Sequence, residues 1–265
     1  MLPYIHMEMT LKAPEVQVKE ILAKTILTPQ KVGALSSYFD YSLNPYAGCA
    51  FRCSYCYVPK FPNAKHDPQD WGTWVEVKVN APELLQKERQ KVFNSRIFFS
   101  SATDPYQYAE LQYRLSRRCL QELLRYQPAR ITMHTRSHLI LQDIELLQKL
   151  GNRVRVGISI TTDREDVRRE FEPSAPSFDR RIELARALTE AGVPVYASVS
   201  PLLPCNPEEF VAKLKPYISR AWVDEMNWKE VNNRPWLLEK YADFFAEPGY
   251  SALCAQLQRE FNREF

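Results

Sequence analysis

The chain has 265 residues, 45% hydrophobic and 25% charged, with a formal net charge of +3. That length suits one large α/β domain or two small ones, and the composition excludes a disordered polymer. The slight positive charge is too small to require nucleic acid, and no basic start followed by an apolar run, nor any long uncharged window, marks a leader or a membrane span.

Taken in chain order, residues 1–42 form an N-terminal extension with Lys12, Lys19, Lys24 and Lys31 scattered through it. A strand is expected near Leu43, just before the stretch Asn44-Pro-Tyr-Ala-Gly-Cys-Ala-Phe-Arg-Cys-Ser-Tyr-Cys-Tyr57. Arg96–Ser101 is a second strand, and Ala109–Tyr126 a helix whose inner face carries Leu111, Leu115, Leu120, Leu123 and Leu124. The order then repeats. Strand 130–135 precedes helix 139–150; strand 154–161 precedes helices 163–171 and 178–191, the latter closed by Gly192; strand 193–200 precedes helix 207–217; strand 220–226 is the last. Six β/α units in this order predict an α/β fold, a partial TIM-type (β/α)6 barrel over residues 43–232, followed by C-terminal helices over 233–265. The arginine pairs Arg117-Arg118, Arg168-Arg169 and Arg180-Arg181 fit solvated helix faces.

In such a barrel the loops at the C-terminal ends of the strands carry the chemistry. They are the cysteine loop, residues 100–107, Thr135-Arg-Ser-His138, residues 159–162 and residues 200–206, while Glu225 and Asn227 end the sixth strand. Cys49, Cys53 and Cys56 are spaced C-x3-C-x2-C, and six cysteines without an export signal favour a reducing, cytoplasmic setting, so metal chemistry is expected rather than disulfides. Three thiolates leave one coordination position open. A zinc site completed by His66 or Cys119 would make the chain a zinc-stabilised nucleic-acid-binding module without catalysis. Of the remaining groups, Cys205 lies at the expected barrel mouth, where a thiol could serve as a hydrogen donor, and Cys254 lies in an apolar helical pattern. His134 and His138 could shuttle protons, Asp104 and Glu110 are candidates for substrate or ribose hydrogen bonds, and Trp71 and Trp74 follow the cysteine loop.

With Tyr55 before the third cysteine, this motif resembles the signature of the radical S-adenosylmethionine enzymes. Asn44-Pro-Tyr-Ala-Gly-Cys49, Thr103-Asp104, Thr135-Arg-Ser137 and Ser159 are similar to the branch containing spore photoproduct lyase. The resemblance implies a [4Fe-4S] cluster on Cys49, Cys53 and Cys56, with S-adenosyl-L-methionine chelating the open iron and contacted by Tyr55, Tyr57, Ser101, Arg136 and Ser159. It further implies a reductant such as a flavodoxin or ferredoxin, and a lyase- or transferase-type reaction begun by a 5'-deoxyadenosyl radical on an unidentified substrate, nucleic acid included. One departure concerns the reaction. The lyase keeps a hydrogen-donating cysteine at the end of the second strand, where this chain has Ser100-Ser101, and a serine O–H bond is too strong for that transfer.

Overall fold

A computed structural model describes residues 15–61, 66–226 and 234–262. Its strands are β1 (Gln17–Ile21), β2 (Leu27–Pro29), β3 (Tyr41–Leu43), β4 (Tyr46–Ala47), β5 (Trp74–Lys78), β6 (Arg96–Phe99), β7 (Arg130–Thr135), β8 (Val154–Ser159), β9 (Val195–Val199) and β10 (Ala221–Val223). The helices are α1 (Ala81–Lys87), α2 (Arg89–Val92), α3 (Glu110–Tyr113), α4 (Leu115–Tyr126), α5 (Ile144–Leu150), α6 (Glu165–Phe171), α7 (Phe178–Glu190), α8 (Pro207–Leu214), α9 (Trp236–Lys240) and α10 (Gly249–Phe261).

The main sheet runs β10-β9-β8-β7-β6-β3-β2, with the six strands from β3 to β10 parallel and β2 antiparallel on β3. These six are the six expected strands, and helices lie between them, the arrangement of a partial barrel. On β7 and β8 the alternation is clean. Ile131, Met133, Val154, Val156 and Ile158 are fully buried in the core, while Thr132, His134, Arg136, Arg155 and Ser159 line an open interior cavity of about 2630 Å3. A packed barrel fills that interior with branched apolar side chains; this one presents polar groups to a hollow.

Several elements depart from the sequence reading. The helix expected over 109–126 is broken at Arg114, whose φ of 47° is left-handed, so Leu111 on the short α3 is 44% exposed. The break has a cause in Glu110, whose carboxylate accepts hydrogen bonds from the backbone N–H groups of Ser116 (3.0 Å) and Arg117 (3.1 Å) at the start of α4. It satisfies donors that an unbroken helix would have used internally. The helix over 139–150 begins as a 3-10 turn, His138–Asp143, capped by the Ser137 side chain. By contrast, α7 matches its expectation: Ser177 caps its start and Gly192, with φ 72°, follows its end.

The arginine pairs are not simply solvated. Arg181 is 1% exposed, and Arg168, also buried, donates to the carbonyls of Glu172 and Ala175. In the N-terminal stretch, β2 extends the main sheet, while β1 joins β5 and β4 in a second three-stranded sheet. At the other edge, the Gln258 side chain of α10 accepts from Val223 N and donates to Ala221 O, both at 2.8 Å. The C-terminal helix thereby masks an edge strand that would otherwise offer unpaired backbone. Asn227 and the boundary at residue 232 fall outside the described residues.

Candidate functional site

The cysteine loop leaves the small sheet through β4 and is held from three sides. Gly48 has φ 76°, and a Cβ there would lie 2.4 Å from Trp74 O and 2.7 Å from the Trp74 ring, so only glycine lets β5 pack over the loop. The Gly48 carbonyl accepts from Thr103 Oγ1 (2.7 Å) and Gln107 Nε2 (3.1 Å), and Gln107 Oε1 accepts from Ala50 N (3.0 Å). Farther along, Ser54 N donates to Phe171 O at 2.9 Å, tying the loop to the end of α6. The loop is thus fixed by residues 103–107 after β6 and by α6.

Behind it lies a buried ionic network. Glu172 forms ion pairs with Arg181 and, at 2.8 Å, with Arg136 Nη1, and it also accepts from the Tyr55 hydroxyl. Burial alone would raise the Glu172 carboxyl, but Arg181 and Arg136 override it and hold the group at about 2. Arg136 is placed from its backbone as well, since its N–H donates to Asp104 Oδ2 at 3.0 Å, while Thr135 Oγ1 donates to Asp104 Oδ1 at 2.7 Å. Its Nη1 also donates to Cys53 Sγ at 2.8 Å, its guanidinium lies 5.8 Å from the Phe51 ring centre, and its buried Nε has no hydrogen-bond partner, with Asp104 Oδ2 4.0 Å away. Nη2 makes no hydrogen bond among the described residues.

All eight residues expected to hold the cluster and its cofactor, namely Cys49, Cys53, Cys56, Tyr55, Tyr57, Ser101, Arg136 and Ser159, line this interior cavity. The Tyr57 hydroxyl donates to Ser101 O at 2.6 Å, and Asn44 Nδ2 donates to Ser101 Oγ at 3.3 Å. Ser159 offers its hydroxyl to the cavity while Arg181 Nη1 holds its carbonyl at 2.9 Å. Ser100, with φ 63°, has a buried hydroxyl without a partner.

The thiols suit a cluster chemically. Burial raises all three, Cys53 to about 12, so on their own they are protonated, and only the positive charge of bound metal would make them thiolate donors. Among the described residues no group of three or more His, Cys, Asp or Glu is drawn together to hold a single ion. A four-iron cluster, whose thiolates each take a different iron, asks for a wider spread. Of the fourth ligands considered for zinc, Cys119 is fully buried in α4, and His66, which also lines the cavity, stacks on Trp74 at 3.7 Å with Glu76 3.5 Å away.

The remaining candidates separate cleanly. Asp104 positions Arg136, and Glu110 accepts from Tyr46 and the start of α4, so both act inside the protein. His134, on the cavity wall, bonds the Tyr196 hydroxyl, and its Nδ1 lies 3.4 Å from Ser198 Oγ; burial pushes it down to about 4, so it is neutral. His138 and Cys205 are not on that wall, whereas Cys254 is. Trp71 and Trp74 meet edge to face at 6.1 Å and line the cavity beside the loop. Glu172 and Arg181 escaped sequence reasoning, because a glutamate and an arginine near helix ends carry no local mark that they pair in the interior.

A parallel sheet that curves around an open hollow, with a three-cysteine loop at the C-terminal ends of its strands, defines a class. The chain belongs to the radical SAM superfamily, whose family model matches residues 43–215. Among its relatives, an uncharacterised protein of Methanocaldococcus jannaschii is 30% identical over 217 residues, covering 81% of this chain and 80% of that one. Spore photoproduct lyase of Bacillus subtilis is 27% identical over 169 residues, covering 62% of this chain and 46% of the lyase. The structure of spore photoproduct lyase complexed with dinucleoside spore photoproduct superposes with a TM-score of 0.60 at 14% identity, covering 93% of this chain and 66% of that one. At that identity the likeness is one of fold. Family membership implies S-adenosylmethionine and an iron-sulfur cluster and supports an enzyme; among the described residues no helix is long and apolar enough to cross a membrane.

Proposed function

We propose that the chain is a radical S-adenosylmethionine enzyme in which Cys49, Cys53 and Cys56 hold a [4Fe-4S] cluster. S-adenosyl-L-methionine would bind beside it against Tyr55, Tyr57, Ser101, Arg136 and Ser159. When bound and reduced by a flavodoxin or ferredoxin, the pair supplies a 5'-deoxyadenosyl radical for hydrogen abstraction. The observation that carries this reading is that all eight side chains line one cavity at the C-terminal ends of the parallel strands.

The chain's own residues divide the work. Asp104 and Glu172 fix Arg136 so that Nη2 is left for a carboxylate, a charge-assisted contact in a buried setting. The hydroxyls of Ser101 and Ser159 would take the amine and ribose of the cofactor. Trp71 and Trp74, which line the cavity beside the loop, would shield the cluster from water. Because Ser100 and Ser101 stand where the lyase keeps its thiol, the product radical is quenched by another group and the reaction differs from the lyase's. Residues 43–232 are proposed as the catalytic core, with the flanking stretches closing its two edges.

Anaerobic reconstitution followed by iron and sulfide analysis tests the cysteine assignment. Close to four irons per chain, lost together when the three cysteines become alanine, is expected. One zinc per chain and no iron would sink it.

A further inference from the structure

The cavity does not end at the cysteine loop. It runs the length of the strands to their N-terminal ends, where Arg130 of β7 and Arg155 of β8 both line it. On β8 every other residue is buried; Arg155 alone is exposed, because it faces the hollow. Neither arginine's side chain has a hydrogen bond or ion pair among the described residues, whereas Arg96, which starts the neighbouring strand β6, is matched by Asp40 at 2.9 Å.

The five acids lining the cavity belong elsewhere. Asp104 is bound to Arg136 and Thr135, Asp224 to Ser200 and Trp222, and Glu225 follows it past the C-terminal end of β10; Asp67 and Glu76 flank the cysteine loop's side. Two unmatched guanidinium groups therefore stand at the end of the hollow away from the cluster loop. Thr132 pairs in register with Arg155, and Arg130 lies two residues earlier on the same face. Strand geometry then sets the two arginine Cα atoms roughly 8 Å apart, a spacing that lets both side chains converge on one anion. The charge of Arg155 also reaches the Tyr196 hydroxyl, beside His134, halfway along the wall.

We infer that Arg130 and Arg155 form an anion subsite for the substrate, and that its preferred ligand is a phosphate group. Planar forked donors match the tetrahedral oxygens of phosphate, and neither arginine contributes to an ion pair among the described residues. From Arg155 to Ser159 the strand spans roughly 13 Å, so the substrate would carry its phosphate about that far from the reacting carbon. His134, Tyr196 and Ser198 line the path between the two ends with neutral hydrogen-bonding groups. The inference rests on the reading of the upper end as the radical site.

The test is a set of titrations of the full reconstituted chain followed by calorimetry. The probes are inorganic phosphate, a 5'-mononucleotide, and a single-stranded oligonucleotide without terminal phosphate. The wild type is compared with Arg130→Gln, Arg155→Gln, Arg155→Lys and the exposed outer-helix control Arg180→Gln. At least one probe should bind and weaken tenfold or more in both glutamine variants, with part of the affinity kept by lysine and all of it by the control. Binding led by the mononucleotide assigns a free phosphate ester; binding by the oligonucleotide alone assigns a polymer's diester. No binding of any probe at millimolar concentration, or equal loss in the Arg180→Gln control, overturns the subsite. Cofactor cleavage without substrate is measured in parallel. If it fails in the wild type while phosphate binding still depends on Arg130 and Arg155, the functional reading is wrong and the subsite stands.

Discussion

Gly48 and Arg136 show how much a single position is asked to do. Gly48 combines a left-handed φ of 76° with a backbone oxygen 2.4 Å from where a Cβ would go, so Gly48→Ala must move β5 or the cysteine loop. We expect a stability loss of about 1–3 kcal/mol by denaturant unfolding, with reconstituted iron falling further than stability alone explains. Arg136 touches Cys53, yet it is anchored through Asp104 and Glu172 rather than through the sulfur. Arg136→Gln should therefore lower S-adenosylmethionine affinity tenfold or more, the scale of a lost charge-assisted bond, while most iron is retained. Parallel loss of both would make the residue structural. The sequence motif marked Arg136 as a cofactor contact, but its anchors were legible only in part: Asp104 stood at a strand end, whereas Glu172 sits beyond helix α6 with nothing nearby to announce its burial.

At the level of elements, the break between α3 and α4 has a pH signature. Burial pushes the Glu110 carboxyl from its ordinary 4.5 up to about 7, against the hydrogen bonds from Ser116, Tyr46 and Arg117. The folded state then holds this proton more tightly than the unfolded chain does. The resulting stability is full below about 4.5 and declines as pH rises toward about 7. Glu110→Gln should flatten that slope in thermal unfolding across the same range, and an unchanged slope would remove Glu110 as its source. The break itself was not readable, because leucine spacing continues through Arg114 and the capping carboxylate comes from within the same apparent helix. The six parallel strands were readable, since Ile131, Met133, Val154, Val156 and Ile158 alternate with polar residues in short β-branched runs. β1 was not: its five residues are mostly exposed, so no hydrophobic period marks them.

Across the whole molecule, the two flanking stretches close what the barrel leaves open. β2 covers one sheet edge and the Gln258 side chain of α10 the other, while β1 and β5 brace the strand that carries the cysteine loop. The resulting hollow brings the cysteine loop, the Arg136 network and the His134 wall onto one continuous surface. None of the three cysteines belongs to the core ion network of Glu172 and Arg181, although Cys53 meets it through Arg136. Changing all three cysteines to alanine should therefore leave a cooperative unfolding transition. The most direct measurement of the central claim is 5'-deoxyadenosine released anaerobically from S-adenosylmethionine under a low-potential reductant, wild type against the Cys49, Cys53 and Cys56 triple alanine variant. Release by the reconstituted wild type and none by the folded variant is the predicted result; equal release by both, or none by an iron-loaded wild type, would contradict it.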